Sequence, residues 1–202
     1  MKSSILYAGA ALACALGLSA CGGGSGDLPL TVTIAGGVTK EGLVLVNQGN
    51  GDEIAVPAGA ASVQFPKYLS TDDEFNISYK SLPSNVSGCT ISNNKARANY
   101  YTVYTTVPTV FCTIKTHTLS VTVTGLTGTG LELVNGSNRK VVTAADAAQP
   151  VAIGDIPEDG AYGVTILNQP DTQTCTISGG TGTMTATGPG TTPVVTCGPK
   201  TQ

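Results

Sequence analysis

The chain has 202 residues, 10 Lys and Arg against 13 Asp and Glu, a formal net charge of −3 and a single histidine. A mildly acidic chain without a basic cluster argues against a nucleic-acid partner. One histidine and no C-x-x-C spacing argue against a zinc site, which needs close-set ligands, and no stretch calls for a cofactor.

The chain begins Met1-Lys2-Ser3-Ser4 and runs apolar from Ile5 to Leu18. That run falls short of the roughly 20 residues needed to span a bilayer. A positive start, a short apolar stretch and small residues at its end mark a secretory signal peptide over 1–20. Leu18-Ser19-Ala20-Cys21 resembles the bacterial lipobox. The resemblance implies cleavage before Cys21 and a diacylglycerol on its sulfur. One acyl chain anchors only marginally, at about 0.8 kcal/mol per buried methylene. Mature proteins of that class usually carry three chains, which implies a lasting membrane anchor. An Asp after the lipidated Cys tends to hold such lipoproteins at the inner membrane; Gly22 here implies the outer membrane. Residues 21–27 comprise Cys21 and a Gly-rich tether, "GGGSGD", and no later segment is apolar and long enough to cross a bilayer.

Cys14 leaves with the signal and Cys21 takes lipid, so Cys89, Cys112, Cys175 and Cys197 remain. An even number in an oxidising compartment reads as disulfides, and four cysteines allow three pairings. An internal repeat chooses among them. "GLVLVN" at 42–47 matches "GLELVN" at 130–135, and "CTIS" at 89–92 matches "CTIS" at 175–178. "LTVTIAG" at 30–36 matches "LSVTVTG" at 119–125. Phe75, Ile77 and Tyr79 before Pro83 match Tyr162, Val164 and Ile166 before Pro170. Two copies of one unit thus fill nearly all of the mature chain, over 28–117 and 118–202. Each copy then owns one disulfide, Cys89–Cys112 and Cys175–Cys197.

Both copies read as strands. Leu30, Val32 and Ile34 alternate with Thr31 and Thr33, and Leu119, Val121 and Val123 alternate with Ser120, Thr122 and Thr124. That period of two is expected where one sheet face is buried. "LVLV" at 43–46 has no visible inner face. In "LELV" at 131–134, Glu132 points outward, so Leu131 and Leu133 point in, and by correspondence so do Leu43 and Leu45. Asn50-Gly51-Asp52 and Asn135-Gly136-Ser137 suit hairpin turns, and Pro57, Pro66, Pro83, Pro150, Pro157 and Pro170 end or interrupt strands. "TAADAAQ" at 143–149 is the only helix-like scrap, and in the repeat it falls in a loop. The Thr- and Gly-rich stretch after Ser178 is bracketed by the second disulfide and reads as a strand with long loops. About seven short strands per copy fit two tandem immunoglobulin-like antiparallel β-sandwiches, an all-β fold. "CTIKTHTLSV" at 112–121 holds no Gly or Pro, so the junction is expected to be short and stiff and the array end to end.

The pattern GL-x-LVN, then Pro, then CTIS and a final Cys resembles a repeat of proteobacterial secreted and surface proteins, commonly lipoproteins. The resemblance covers roughly residues 28–200. It implies an immunoglobulin-like sandwich and an envelope location, and brings no catalytic residue and no ligand. Copy one departs from the pattern in its longer interval between cysteines and its aromatic content.

His117 lies in the junction between Thr116 and Thr118 and reads as a solvated linker histidine. "GLTGTG" at 125–130 has a phosphate-loop spacing, but such a loop must open a helix; a strand-like "LELVN" follows, so a glycine turn is expected. "STDDE" at 70–74 groups Asp72, Asp73 and Glu74. Calcium needs six to eight oxygens, so a solvated turn is the expectation and a calcium site the alternative. Glu158 and Asp159 mark the equivalent turn of copy two. The sequon-like triplets at Asn76, Asn85 and Asn135 read as chance.

"NYYTVYTT" at 99–106 is the one candidate binding feature. As a strand it puts Tyr100, Thr102 and Tyr104 on one face and Tyr101, Val103 and Thr105 on the other. Exposed tyrosine stacks on sugars or anchors a protein; buried tyrosine fills a larger core. Copy two has no aromatic residue in the corresponding interval, and nine of the ten aromatics precede residue 118. The functional expectation is a non-catalytic outer-membrane lipoprotein that binds a glycan, a matrix protein or an envelope protein, as an adhesion or display module. The alternative is a structural spacer or accessory subunit of an envelope assembly.

Overall fold

The computed structural model describes residues 27–200. The signal segment, Cys21 and residues 22–26 lie outside the described residues. In the first repeat the elements are β1 Thr31–Gly36, β2 Leu43–Asn47, β3 Asp52–Val56, β4 Ser62–Gln64, β5 Glu74–Ser81, β6 Val86–Ser92, β7 Lys95–Arg97, α1 Tyr100–Tyr104 and β8 Thr109–Ile114. The second has β9 Thr116–Thr124, β10 Leu131–Asn135, β11 Asn138–Val142, a 3-10 turn at Asp146–Ala148, β12 Val151–Pro157, β13 Ala161–Asn168, β14 Gln173–Ser178, β15 Thr181–Thr185, β16 Gly188–Pro189 and β17 Val194–Pro199.

Each repeat is an immunoglobulin-like sandwich of two sheets. The first has the strand orders β4-β1-β8-β6 and β3-β2-β5-β7. The second repeats them as β12-β9-β17-β14 and β11-β10-β13-β15, with β16 added at the edge. The sheets are antiparallel except at one place in each repeat: β1 runs parallel to β8, with Thr33 opposite Thr109, and β9 runs parallel to β17, with Val194 opposite Thr122. The first and last strands of each copy meet in the middle of a sheet and run the same way.

The period-two pattern sets what is buried. Leu30, Val32 and Ile34 face inward with Leu43, Leu45, Val56, Phe65, Phe75 and Ile77 in one core; Leu119, Val121, Val123, Leu131, Leu133, Val164, Met184 and Val195 form a second. The outward Thr of β1 and β9 favour strand while leaving one face polar. Two disulfides, Cys89–Cys112 and Cys175–Cys197, each tie a directly opposed pair across β6–β8 and β14–β17.

The asparagine that ends GL-x-LVN in both copies is a brace. The Asn47 Oδ1 accepts from the backbone N–H of Gly49 and of Asn76, each at 3.0 Å, so one buried side chain closes the β2–β3 hairpin and clips it to β5. Asn135 repeats the clip, accepting from Gly163 N–H at 2.8 Å. The glycine after the first strand is also structural in both copies. Gly37 and Gly125 have φ of +79° and +72°, and a Cβ there would run into the carbonyl oxygens of Cys112 and Cys197. Residue 37 thus corresponds to 125, one place later than the aligned sequences suggest, because β1 carries an extra residue at a bulge between Ile34 and Gly36.

Candidate functional site

The tyrosine segment is a helix, not a strand. Tyr and Val favour strands, but a capping box decides locally. Asn99 Oδ1 accepts from Thr102 N–H at 3.0 Å, and Thr102 Oγ1 accepts from Asn99 N–H at 2.9 Å. Two otherwise unpaired helix-start donors are thereby satisfied. Val103 is the one buried side chain of the turn and pins it to the first core. This corrects the expected face of Tyr100, Thr102 and Tyr104. Thr102 is taken up in capping, with its hydroxyl also donating to Arg97 O at 2.8 Å. Tyr100 and Tyr104 still share a face, because i and i+4 are neighbours on a helix; their ring centroids are 4.8 Å apart. The tyrosines do not fill the core: Tyr100, Tyr101 and Tyr104 are 75%, 67% and 50% exposed. In the second repeat the matching interval holds Met184, fully buried, and the short strand β16.

The acidic stretch beside α1 is already engaged. Asp73 Oδ2 accepts from Ser70 N–H at 2.7 Å, and Glu74 receives Arg97 Nη2 at 2.9 Å. Asp72 stands exposed with φ +70°. Among the described residues no three His, Cys, Asp or Glu side chains converge on a point that could hold a metal. The "GLTGTG" loop is a turn between strands: Thr127 and Gly128 donate their N–H groups to Gln173 Oε1 at 2.7 and 2.8 Å, so these donors are already used.

The equivalent acidic turn of the second repeat does something else. It abuts the first repeat and forms the junction. Lys40 Nζ lies 2.9 Å from Asp159 Oδ2 and 3.5 Å from Glu158 Oε1. Asn85 Nδ2 donates to Asp159 Oδ2 at 3.0 Å and to Thr39 Oγ1 at 2.8 Å. Glu158 N–H donates to Lys115 O at 2.8 Å, and Lys115 N–H to Asn85 O at 2.9 Å. The hydrogen bond that Lys40 donates to Asp159 holds its ammonium above the usual pKa, with the charges of Asp159 and Glu158 adding to it. Two sequence readings change here. Glu158 is nearly buried, not solvated. His117 belongs to β9 and is partly buried, with its Nε2 3.5 Å from Glu158 Oε2. Neither could be read locally, because Lys40 and Glu158 are far apart in sequence.

A shallow depression beside the 3-10 turn is lined by Lys140, Asp146, Gln149 and Val151. Thr143 donates from both its N–H and its hydroxyl to Asp146 Oδ2, at 3.0 and 2.8 Å, which holds that carboxyl below its usual pKa. The carboxylate serves the turn.

No family model and no curated protein matches the chain. Among solved structures, the chain is similar to the pilus adhesin SpaC of Lactobacillus rhamnosus GG in its open conformation, with 10% identity and a TM-score of 0.31. The match covers 86% of this chain and 32% of that one, so the chain spans about a third of the adhesin's length. A likeness at that level carries no argument about activity.

Proposed function

We propose that the chain is a non-catalytic, lipid-anchored outer-membrane protein that acts as a binding or adhesion module at the cell envelope. The observation that carries the reading is the clasped end-to-end junction. Lys40, Asn85 and Lys115 of the first sandwich hold Glu158 and Asp159 of the second. Two sandwiches so joined make a stiff stalk. The nine residues of β9 alone span roughly 30 Å, so the far end of the second domain stands roughly 60 Å from the start of the first. Leu18-Ser19-Ala20-Cys21 supplies the anchor in this reading, and the second domain is the part displayed. Glycans, matrix proteins and envelope proteins are the candidate ligands.

The same junction favours a second reading, a periplasmic spacer or accessory subunit, since a spacer needs stiffness and no ligand. Protease shaving of intact cells separates the two, with a Cys21→Ser variant and osmotically opened cells as controls. Cleavage in intact cells supports display. Protection until the outer membrane is opened overturns it in favour of the spacer. A surface-exposed domain pair that binds no glycan, matrix or envelope protein also counts against adhesion.

A further inference from the structure

Four of the six tyrosines beyond the signal segment gather at one pole of the first domain. Tyr68, 54% exposed, joins Tyr100, Tyr101 and Tyr104. Backbone pairing fixes the placement. Leu28 and Leu69 exchange two hydrogen bonds, at 3.1 and 2.9 Å, which sets Tyr68 beside the point where the chain enters the fold. The turn that follows, Ser70 to Asp73, pairs with Ala98 through Asp72 N–H to Ala98 O and Ala98 N–H to Asp73 O, both at 2.8 Å. Ala98 immediately precedes the Asn99 cap of α1. The helix therefore lies at the pole where residue 28 enters. The opposite pole, with Thr39, Lys40, Asn85 and Lys115, meets the second domain.

We propose that this tyrosine pole rests on the lipid surface to which the tether leads. The inference depends on the lipoprotein reading of Cys21. Residues 22–27 reach at most about 20 Å when fully extended. The pole is thus held within about 20 Å of the lipidated cysteine, and a tether of that length gives a local concentration on the order of millimolar. A contact too weak to recruit a free protein is then occupied. Tyrosine suits the place, because its ring is apolar and its hydroxyl stays wet, the balance that enriches it at membrane–water interfaces. Beside the patch Arg97 pairs with Glu74 and Lys67 lies 3.9 Å from Asp52, and Asp72 and Asp73 add acidic charge. The contact therefore gains nothing from anionic lipid and rests on the rings. The second repeat is the internal comparison. Its corresponding pole is covered by protein, the first domain, and its interval between β15 and β17 carries no aromatic residue.

The test uses the mature chain, with its four domain cysteines oxidised and Cys21 joined by a thioether to a maleimide phospholipid in phosphatidylcholine vesicles. Nitroxide-bearing lipid, labelled high on the acyl chain, quenches nearby tyrosine emission, and the chain has no tryptophan to obscure it. The expected result is quenching that is insensitive to salt and is mostly lost in a Tyr100→Ser, Tyr101→Ser, Tyr104→Ser variant of unchanged melting temperature. Lengthening the tether about fourfold should lower the local concentration about eightfold and reduce quenching accordingly. Absent quenching, or quenching untouched by the triple substitution, overturns the proposal. So does tyrosine-dependent self-association or glycan binding in solution without quenching by nitroxide lipid, which assigns the patch to a second copy or a soluble ligand. The anchor is installed chemically, so these outcomes are independent of what cells do to Cys21. The lipoprotein reading fails separately, if cell-made protein carries no diacylglycerol on Cys21 by mass spectrometry.

Discussion

Replacing Cys175 and Cys197 together by Ala removes the clasp between β14 and β17. The loop it closes has a sequence separation of 22, and in the chain-entropy account such a cross-link stabilises by about 3.4 kcal/mol through the unfolded state. Both cysteines are buried in the second core, so losing the sulfurs adds on the order of 1 kcal/mol of packing. A domain of this size is stable by about 4–13 kcal/mol, and each kcal/mol moves the midpoint by about 4–8 °C. The second domain's calorimetric transition should therefore fall by roughly 18–35 °C. The first domain has its own core and its own disulfide, so its transition should move far less. Scanning calorimetry of the oxidised mature chain reads both. A loss below about 1 kcal/mol would refute the cross-link argument, and an equal fall of both transitions would refute the division into two cores.

Three further outcomes test the account of the fold. Asn47→Ala removes the shared acceptor of the part-buried Gly49 and Asn76 N–H groups and should cost about 1–3 kcal/mol in urea denaturation; Asn135→Ala, which frees one N–H, should cost less, and the reverse order would contradict the brace. Gly125→Ala places a Cβ 2.4 Å from the Cys197 oxygen, whereas Gly51→Ala, at nearly the same φ, meets nothing within 4 Å. The second should cost only the left-handed penalty of about 1–2 kcal/mol and the first clearly more; equal losses would remove the close-approach argument. Lys40, whose pKa is raised in the junction from the usual 10.5, should contribute fully to the junction below that pH and lose its contribution as pH climbs through the raised value, loosening the domains that Asn85 and Lys115 still hold. Interdomain distance by fluorescence transfer, compared with Lys40→Met, reads the effect, and an identical alkaline profile in the two proteins would refute it.

Alternation in β1 and β9 was legible because each strand buries one face, and the second copy settled the inner face of β2 because Glu132 breaks the apolar run that hides it in "LVLV". The repeat also chose the disulfides. Two features were illegible: one depends on residues distant in sequence, the other on a single local device that outweighs propensity. Parallel pairing of β1 with β8 joins the two ends of a domain, and no local pattern announces it. The five residues of α1 have strand-favouring side chains and the right period for a strand; the Asn99–Thr102 box and the burial of Val103 reverse that reading. Asn99, a favoured helix cap three residues before a hydroxyl, was the available signal.

The acidic turn shows why repeats diverge where they do. Asp72 and Asp159 both take a positive φ, at 70° and 67°, and donate their N–H groups to Ala98 and Met184 at the same 2.8 Å, so the backbone device is identical. What differs is what lies above it. Over the second turn sits Lys40 of the preceding domain, and there the carboxylates of Glu158 and Asp159 are engaged by a cation and an amide. Over the first turn lies no folded domain among the described residues, so the docking contacts that engage Glu158 and Asp159 have no counterpart there among those residues. Three exposed tyrosines stand on one capped turn there, with a fourth beside the point where residue 28 enters the fold; under the membrane-contact proposal, these apolar rings with wet hydroxyls are what a lipid interface accepts.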